Sequence, residues 1–294
     1  MKTYYKPESL ILTEEVRKAH TDGKFISLPS GITHYKDEGE GENYVVLVHG
    51  YATPLFIYDK IAASLVKSGY HVLRYDLFGR GLSDRIDTTY TAEFLAEQLR
   101  EFVFALIPGK EFDLVATSMG GIIVTTYIAK FDPPVKSLTL LAPAGMNFRV
   151  PLPMRLAKIR GLGEILFILA KGRQERACAA EMVKSDKKIK EDYCKKFSYY
   201  AQYKGLRKST LSSLRHTLLD FEKSHEGYYA VAKKRFPVLI IWGTEDRTMP
   251  YYQSAEMKKT IPRAKLITYG GSGHIFLYDE DERTSADILD FLKK

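Results

Sequence analysis

The stretch 113-DLVATSMGGIIV-124 decides the fold of this 294-residue chain. An apolar run ends at Ala116, is broken by Ser118, Gly120 and Gly121, and then resumes at once. A buried strand followed directly by a buried helix explains the pattern, provided that the serine lies on a very tight turn. Such a turn needs small residues two positions either side of the serine, and Ala116 and Gly120 are small. The stretch therefore predicts a strand–turn–helix unit that presents Ser118 outward.

Strands and helices alternate on both sides of this unit. Eight short runs have the composition of strands: Phe25–Leu28, Ile32–Tyr35, Tyr44–Val48, His71–Tyr75, Phe112–Ala116, Ser137–Leu141, Val238–Trp242 and Lys265–Tyr269. Helical patterns occur at Pro54–Ser68, Thr91–Ile107, Met119–Phe131, Tyr251–Ile261 and Ser285–Leu292. The first two runs predict an antiparallel hairpin that turns at Pro29-Ser30-Gly31. The alternation elsewhere predicts an α/β fold with a mainly parallel sheet.

The alternation stops between about Met146 and Arg235, where the patterning is helical and no convincing strand occurs. We therefore predict a core formed by residues 1–145 and 236–294, with a helical insertion at residues 146–235. Residues 151–235 hold 20 Lys and Arg against 9 Asp and Glu, whereas the remainder holds 24 against 27. This excess can attract anionic membranes, nucleic acid or acidic substrates, although a solvated, lysine-rich helical face also explains it.

Composition excludes several classes of protein. No apolar run reaches the length that crosses a bilayer, and the apolar stretch near the start is too short for a signal-peptide core. The two cysteines, Cys178 and Cys194, imply no disulfide framework. We expect a reduced, cytoplasmic protein.

Two later loops supply partners for a nucleophilic serine, which needs a base and an acid that orients the base. Asp246 follows a buried strand in 243-GTEDRTMP-250, and His274 follows the last strand in 270-GGSGH-274. Loops that follow parallel strands meet at one edge of the sheet. Each residue alone could serve a turn, a helix cap or a loop, and Glu245 is a less well-placed rival for Asp246. Their combination predicts a Ser118–His274–Asp246 catalytic triad.

Backbone N–H groups beside the serine could stabilise an oxyanion. The N–H of Met119 lies at the start of the predicted helix, where the first amides have no partner. The N–H of Tyr51, after the third strand in 46-VLVHGYATP-54, is the second candidate donor. We interpret His49 as a structural residue that braces this loop, and Asp76 mostly as a determinant of loop geometry.

The stretches HGY (49–51), DLFGRGLSD (76–84), ATSMGG (116–121), GTEDRTMP (243–250) and GSGH (271–274) together resemble the α/β-hydrolase superfamily. The resemblance is to its lid-bearing esterases, lipases and carbon–carbon hydrolases. It implies a mostly parallel eight-stranded sheet flanked by helices, with a helical cap inserted after the sixth strand. It also implies a two-step reaction without a metal or an organic cofactor. Haloalkane dehalogenases and epoxide hydrolases of this fold use an aspartate nucleophile, so Ser118 disfavours those chemistries.

The predicted function is hydrolysis of a carboxylic ester, with a small or medium apolar acyl group or a lipid-like one, through an acyl-enzyme. A carbon–carbon bond hydrolase of the meta-cleavage-product type would use the same triad and stays open. So does a small-molecule receptor with slow hydrolysis. We expect no nucleic-acid partner, because no binding motif accompanies the basic charge.

The insertion is expected to choose the substrate. Tyr193, Phe197 and Tyr200 recur at the spacing of one helical face. They could roof an apolar substrate pocket, or they could pack against the core. The basic exterior of the insertion could contact anionic membrane.

Overall fold

One eight-stranded sheet forms the centre of the computed structural model, which describes residues 7–170 and 173–293. The strands are β1 (Lys24–Leu28), β2 (Gly31–Glu38), β3 (Tyr44–Val48), β4 (His71–Tyr75), β5 (Phe112–Thr117), β6 (Val135–Leu141), β7 (Val238–Gly243) and β8 (Lys265–Tyr269). Their order is β1-β2-β4-β3-β5-β6-β7-β8. Strand β2 runs antiparallel to β1 and β4, and all other neighbours are parallel. The predicted strands, the hairpin and the mainly parallel sheet are confirmed.

Thirteen α-helices occur in the described parts of the chain. They are α1 (Glu14–Ala19), α2 (Asp59–Lys67), α3 (Ala92–Leu106), α4 (Met119–Phe131), α5 (Leu152–Ala157), α6 (Leu162–Leu169), α7 (Arg173–Ala180), α8 (Lys187–Ala201), α9 (Leu206–Ser213), α10 (Phe221–Ala232), α11 (Gln253–Thr260), α12 (Phe276–Asp279) and α13 (Asp281–Leu292). The helix predicted from Pro54 begins as a 3₁₀ turn at Leu55–Tyr58 before α2. None of these helices combines the length and apolar character that crossing a membrane requires.

The core lies between the sheet and the helices that flank it. All six residues of β5 are buried, as are all six of β7, because a central parallel strand is covered on both faces. Helix α4 packs against α3 and α10, and α2 packs against α13. Thr91 caps α3, since its side chain accepts a hydrogen bond from the Phe94 N–H. The flanking helices cover the two faces of the sheet, so the long loops lie together at the carboxyl ends of the parallel strands.

Six α-helices, α5 to α10, lie between β6 and β7 in the described parts of the chain, within residues 146–235 where the sequence predicts an insertion. The last of them, α10, packs directly on α4. Gly227 faces Thr125, and the Tyr228 hydroxyl donates to the Ala144 carbonyl at 2.5 Å. Helix α10 therefore belongs with the helices that flank the sheet. We call the remaining part, residues 146–219 with α5 to α9, the inserted segment.

Candidate active site

Ser118 occupies a strained turn between β5 and α4. Its φ is +53° and its ψ is −124°, a conformation that non-glycine residues rarely adopt. A Cβ added at Gly120 would lie 2.5 Å from the Val48 carbonyl oxygen, so the turn can pass this close to β3 only with glycine there. Ala116, on the other side of the serine, is fully buried. The predicted strand–turn–helix unit and its demand for small residues are confirmed.

The loops after β7 and β8 bring Asp246 and His274 together. The two side chains are buried, and His274 Nδ1 lies 2.7 Å from Asp246 Oδ2. Asp246 Oδ1 accepts hydrogen bonds from the backbone N–H groups of Thr248 at 2.9 Å and Met249 at 2.7 Å. An ionised carboxylate can only accept, so Nδ1 carries the proton and Nε2 is left as the basic nitrogen. Glu245, the rival acid, is exposed.

The electrostatic surroundings favour a protonated imidazole. Burial by itself lowers the pKa of His274, but the charge and hydrogen bond of Asp246, together with the charge of Glu181, outweigh it and raise the pKa above the ordinary 6.5. A raised pKa means that the imidazole holds a proton more firmly once it has taken one. This is the property that a general base needs when it removes a proton from an alcohol.

Ser118 and His274 both line one cavity of about 190 Å³ at the carboxyl edge of the sheet. The rest of the lining is mostly apolar or small and comes from Gly50, Tyr51, Ala52, Thr53, Ile57, Thr117, Gln174, Ala177, Cys178, Glu181, Thr248, Ile275 and Leu277. Among the described residues, no hydrogen bond joins the Ser118 hydroxyl to the imidazole. Catalytic hydrogen bonds are often longer in the unliganded state than in a substrate complex.

The two predicted oxyanion donors flank the serine. Met119 begins α4 directly after Ser118, and Tyr51 lines the same cavity. Neither backbone N–H has a hydrogen-bond acceptor among the described residues. Gly50 brings the loop close to the nucleophile, since a Cβ there would lie 2.9 Å from Ser118 Cβ. Both N–H groups are therefore available to a ligand oxygen, and their role as an oxyanion hole stays a prediction.

His49 has the structural role that the sequence analysis gives it. Its Nδ1 donates to the Gly50 carbonyl at 2.9 Å, and its Nε2 accepts from the Leu77 N–H at 2.9 Å. Burial lowers the pKa of His49 to about 4, so the ring is neutral near pH 7. Asp76 likewise holds loops together, accepting from the Leu55 N–H at 2.9 Å and lying 2.7 Å from His34 Nδ1.

The three predicted substrate contacts on α8 lie outside the lining of this cavity. Tyr193, Phe197 and Tyr200 are buried in an aromatic cluster with Phe56 and Tyr278. Tyr193 approaches the cavity only indirectly, since its hydroxyl lies 2.5 Å from the hydroxyl of Thr53, a lining residue. The stripe on α8 thus packs against the core, as the structural interpretation of the same pattern predicts.

The inserted segment reaches the site instead through α7 and the residue that follows it. Gln174, Ala177 and Cys178 of α7 line the cavity, as does Glu181. The Glu181 carboxylate accepts from the His274 backbone N–H at 3.1 Å and from the Thr248 hydroxyl at 3.3 Å. Sequence reasoning missed these residues, because α7 lies far along the chain from the catalytic loops and carries no motif.

Across residues 7–170 and 173–293, no group of three or more His, Cys, Asp and Glu side chains is arranged to hold a metal ion. The two cysteines are free. Ser118, Cys178 and His274 line the cavity, and His274 contacts Asp246.

Comparison with known proteins places this architecture in a family. The model of the alpha/beta hydrolase family matches residues 45–287, well over half of the chain. The chain belongs to the alpha/beta hydrolase family. The fold agrees with that of an esterase from Thermogutta terrifontis, with a TM-score of 0.77 at 19% identity over 93% of this chain and 98% of the other.

Curated relatives of this alpha/beta hydrolase have diverse activities. It is 26% identical to a cis-3-alkyl-4-alkyloxetan-2-one decarboxylase from Shewanella oneidensis, over 91% of this chain and 87% of that protein. It is 25% identical to Lipase 3 from a Moraxella species, over 96% and 88%. It is 24% identical to a 2-hydroxy-6-oxononadienedioate/2-hydroxy-6-oxononatrienedioate hydrolase from Burkholderia vietnamiensis, over 89% and 91%. The chain is thus an enzyme of hydrolase type, and its own substrate must be argued from its site.

Proposed function

We propose that this alpha/beta hydrolase is a serine esterase that cleaves a carboxylic ester through an acyl-enzyme. The observation that carries the proposal is the position of Ser118, on a strained turn in the same cavity as the His274–Asp246 pair. A serine hydroxyl is a weak nucleophile at neutral pH and needs such a base within reach.

The reaction has two steps. His274 Nε2 removes the Ser118 proton as Oγ attacks the ester carbonyl carbon, while the N–H groups of Tyr51 and Met119 stabilise the oxyanion. The imidazolium then gives its proton to the leaving alcohol, which departs and leaves an acyl-enzyme. Water, deprotonated by His274, attacks the acyl carbon, and the acid leaves as the proton returns to Ser118. Asp246 holds the imidazole in the required tautomer and stabilises its positive form.

The cavity favours a short, neutral acyl group. Its volume of about 190 Å³ is below the roughly 300 Å³ at which pockets for drug-sized ligands begin. Ala52, Ile57, Ala177 and Leu277 contribute apolar walls. The sequence predicts a cap over residues 146–235; we infer that the inserted segment, residues 146–219, acts as that cap, since α7 contributes to the cavity wall.

A series of p-nitrophenyl esters from acetate to palmitate tests the proposal. We expect multiple turnovers that peak among the short chains, no turnover with Ser118→Ala, and labelling of Ser118 by a fluorophosphonate. Multiple turnovers also separate an esterase from a receptor with single-turnover hydrolysis. Undiminished turnover by a folded Ser118→Ala protein would overturn the assignment.

Carbon–carbon bond hydrolysis is the second candidate, and the charge of the cavity separates it from ester hydrolysis. The relative from Burkholderia vietnamiensis is named for dioates, which carry two carboxylates. No Lys or Arg belongs to the cavity lining among the described residues, whereas Glu181 does. A dianion would meet an unfavourable charge there, so a neutral ester is the better match.

A further inference from the structure

The inserted segment exposes an apolar stripe to solvent. On α6, Ile165, Ile168 and Leu169 follow the spacing of one helical face and are 55%, 53% and 61% exposed. Leu152 and Ile159 on and after α5, which packs against α6, are also exposed. Isolated exposed apolar residues are common on soluble proteins, but five within residues 152–169, on or next to two helices that pack against each other, point to an interaction surface.

A basic cleft adjoins the helices that carry this stripe. Arg149, Arg155 and Lys158 line an open cleft of about 500 Å³, with Val150, Leu219 and Phe221 as its other walls. Arg155 and Lys158 belong to α5 and its end, the same turns that carry Leu152 and Ile159. Within the described parts of the chain, none of the three cations pairs with a carboxylate.

Few acidic side chains lie near these three cations in the chain, and none of those that the structure describes pairs with the cations. Residues 149–173 contain six Lys and Arg and a single acidic residue, Glu164. Glu164 is already paired with Arg215, at 2.7 Å. Asp220, between the cleft residues Leu219 and Phe221 in the chain, caps α10 by accepting from the Lys223 N–H and forms no ion pair with the three cations among the described residues. The surface therefore combines aliphatic side chains with free positive charge.

We propose that this surface, which comprises α5, α6 and the basic cleft and which we call the docking face, binds anionic phospholipid membranes. The apolar stripe would enter the boundary between the lipid headgroups and the acyl chains, while the cations contact lipid phosphates. This arrangement is typical of helices that lie in the membrane interface. A nucleic acid would use the charge but leave the apolar stripe in water, so the lipid surface fits both features.

Docking to a membrane would also affect which esters reach the cavity, an inference that rests on the proposed ester hydrolysis. Helix α7 begins at Arg173, four residues after the end of α6 at Leu169. Because α7 contributes cavity wall residues, a docked α6 holds the cavity close to the bilayer surface. Esters that partition into membranes would then reach Ser118 at a raised local concentration.

Vesicle co-sedimentation of the purified chain tests the docking face without any need for turnover. We expect binding to vesicles of mixed phosphatidylcholine and phosphatidylglycerol, weakening with salt, and little binding to pure phosphatidylcholine. Ile165→Asp with Ile168→Asp should abolish binding, and Arg155→Glu with Lys158→Glu should weaken it by at least roughly tenfold.

A charge-matched control is Lys67→Glu with Lys110→Glu. Both lysines are exposed and precede β4 and β5, so they lie at the sheet edge opposite the cavity. This variant should bind as the unmodified chain does, and all variants should keep their unfolding midpoint and their turnover of soluble short-chain esters.

Three outcomes would overturn the docking face. The unmodified chain could fail to sediment with anionic vesicles at low salt. The control variant, Lys67→Glu with Lys110→Glu, could lose binding as strongly as the Arg155 and Lys158 variant, which would mean that vesicle binding depends only on the net charge of the chain. Light scattering could instead show a dimer that the Ile165 and Ile168 variant dissolves, and a second copy would then cover the stripe. Loss of esterase activity with intact vesicle binding would count only against the proposed function.

Discussion

Replacing Asp246 with asparagine should lower kcat by about 10⁴-fold while the fold stays intact. The structure shows why an isosteric change has so large an effect. The asparagine oxygen would accept the N–H groups of Thr248 and Met249, as Asp246 Oδ1 does at 2.9 and 2.7 Å. Its NH₂ group would then face His274 Nδ1, in place of the oxygen that now lies 2.7 Å away.

The opposite orientation of the amide is less favourable. It would point NH₂ at two backbone donors and leave both unsatisfied in a buried loop, at about 1–3 kcal/mol each. With the favoured orientation, His274 Nδ1 must accept a hydrogen bond from the amide N–H, so the ring proton lies on Nε2 instead. The imidazole can then no longer remove the Ser118 proton, and a 10⁴-fold loss corresponds to about 5 kcal/mol of transition-state stabilisation.

The assay is kcat/KM for the best p-nitrophenyl ester, with the thermal unfolding midpoint as a check on folding. Glu245→Gln is the matched control, because it removes the same charge from the neighbouring, exposed position. It should keep activity within about twofold, since its side chain has no partner among the described residues of the site. Activity of Asp246→Asn within tenfold of the unmodified enzyme, or an equal loss in Glu245→Gln, would refute the reasoning.

Two further substitutions test the site's electrostatics and its packing. Because the pKa of His274 is raised, the acidic limb of the kcat/KM profile, where activity falls as His274 becomes protonated, should lie above pH 6.5. Glu181→Gln should move this limb to lower pH, because it removes a charge that raises the pKa of His274. If Glu181 had only a structural role, the position of the limb would not change. Gly120→Ala forces a Cβ to within 2.5 Å of the Val48 carbonyl oxygen, so the free energy of unfolding measured by denaturant titration should fall by about 1–3 kcal/mol. Gly270→Ala is the control. Its added Cβ meets nothing within 4 Å, so the free energy of unfolding should stay nearly unchanged.

The strands were readable from the sequence because their signal is local. Tyr44–Val48 and His71–Tyr75 have the same bounds in the prediction and in the structure, since each is a short apolar run with polar or glycine-containing flanks. The serine turn was equally local, because its demand for small residues falls on positions 116 and 120. Helix α1 was missed, since six residues with no buried side chain leave no periodic apolar pattern.

The order of the strands was not readable in the same way. Strand β2 pairs with β4, and β3 lies between β4 and β5, although β2 and β3 are consecutive in the chain. Apolar runs of similar composition do not specify which neighbour each strand takes. That choice depends on how the connecting helices pack across the sheet.

The amphipathic periodicity of α8 predicts that one face of the helix is buried, but it does not predict which surface covers that face. The spacing of Tyr193, Phe197 and Tyr200 predicts one buried face, and the structure shows that face against Phe56 and Tyr278. A periodic pattern reports that a face is covered, whereas the identity of the covering surface depends on residues far away in the chain.

The sequence by itself therefore determined the α/β fold, the tight turn at Ser118 and the residues after each strand that could serve it, because these properties depend on neighbours within a few positions. The tertiary structure alone decided that Glu181 contacts the His274 loop, that α7 lines the cavity and that the α8 stripe lies outside that lining. Those contacts join residues far apart in the chain, 93 positions in the case of Glu181 and His274. They form only when the inserted segment packs over the carboxyl edge of the sheet.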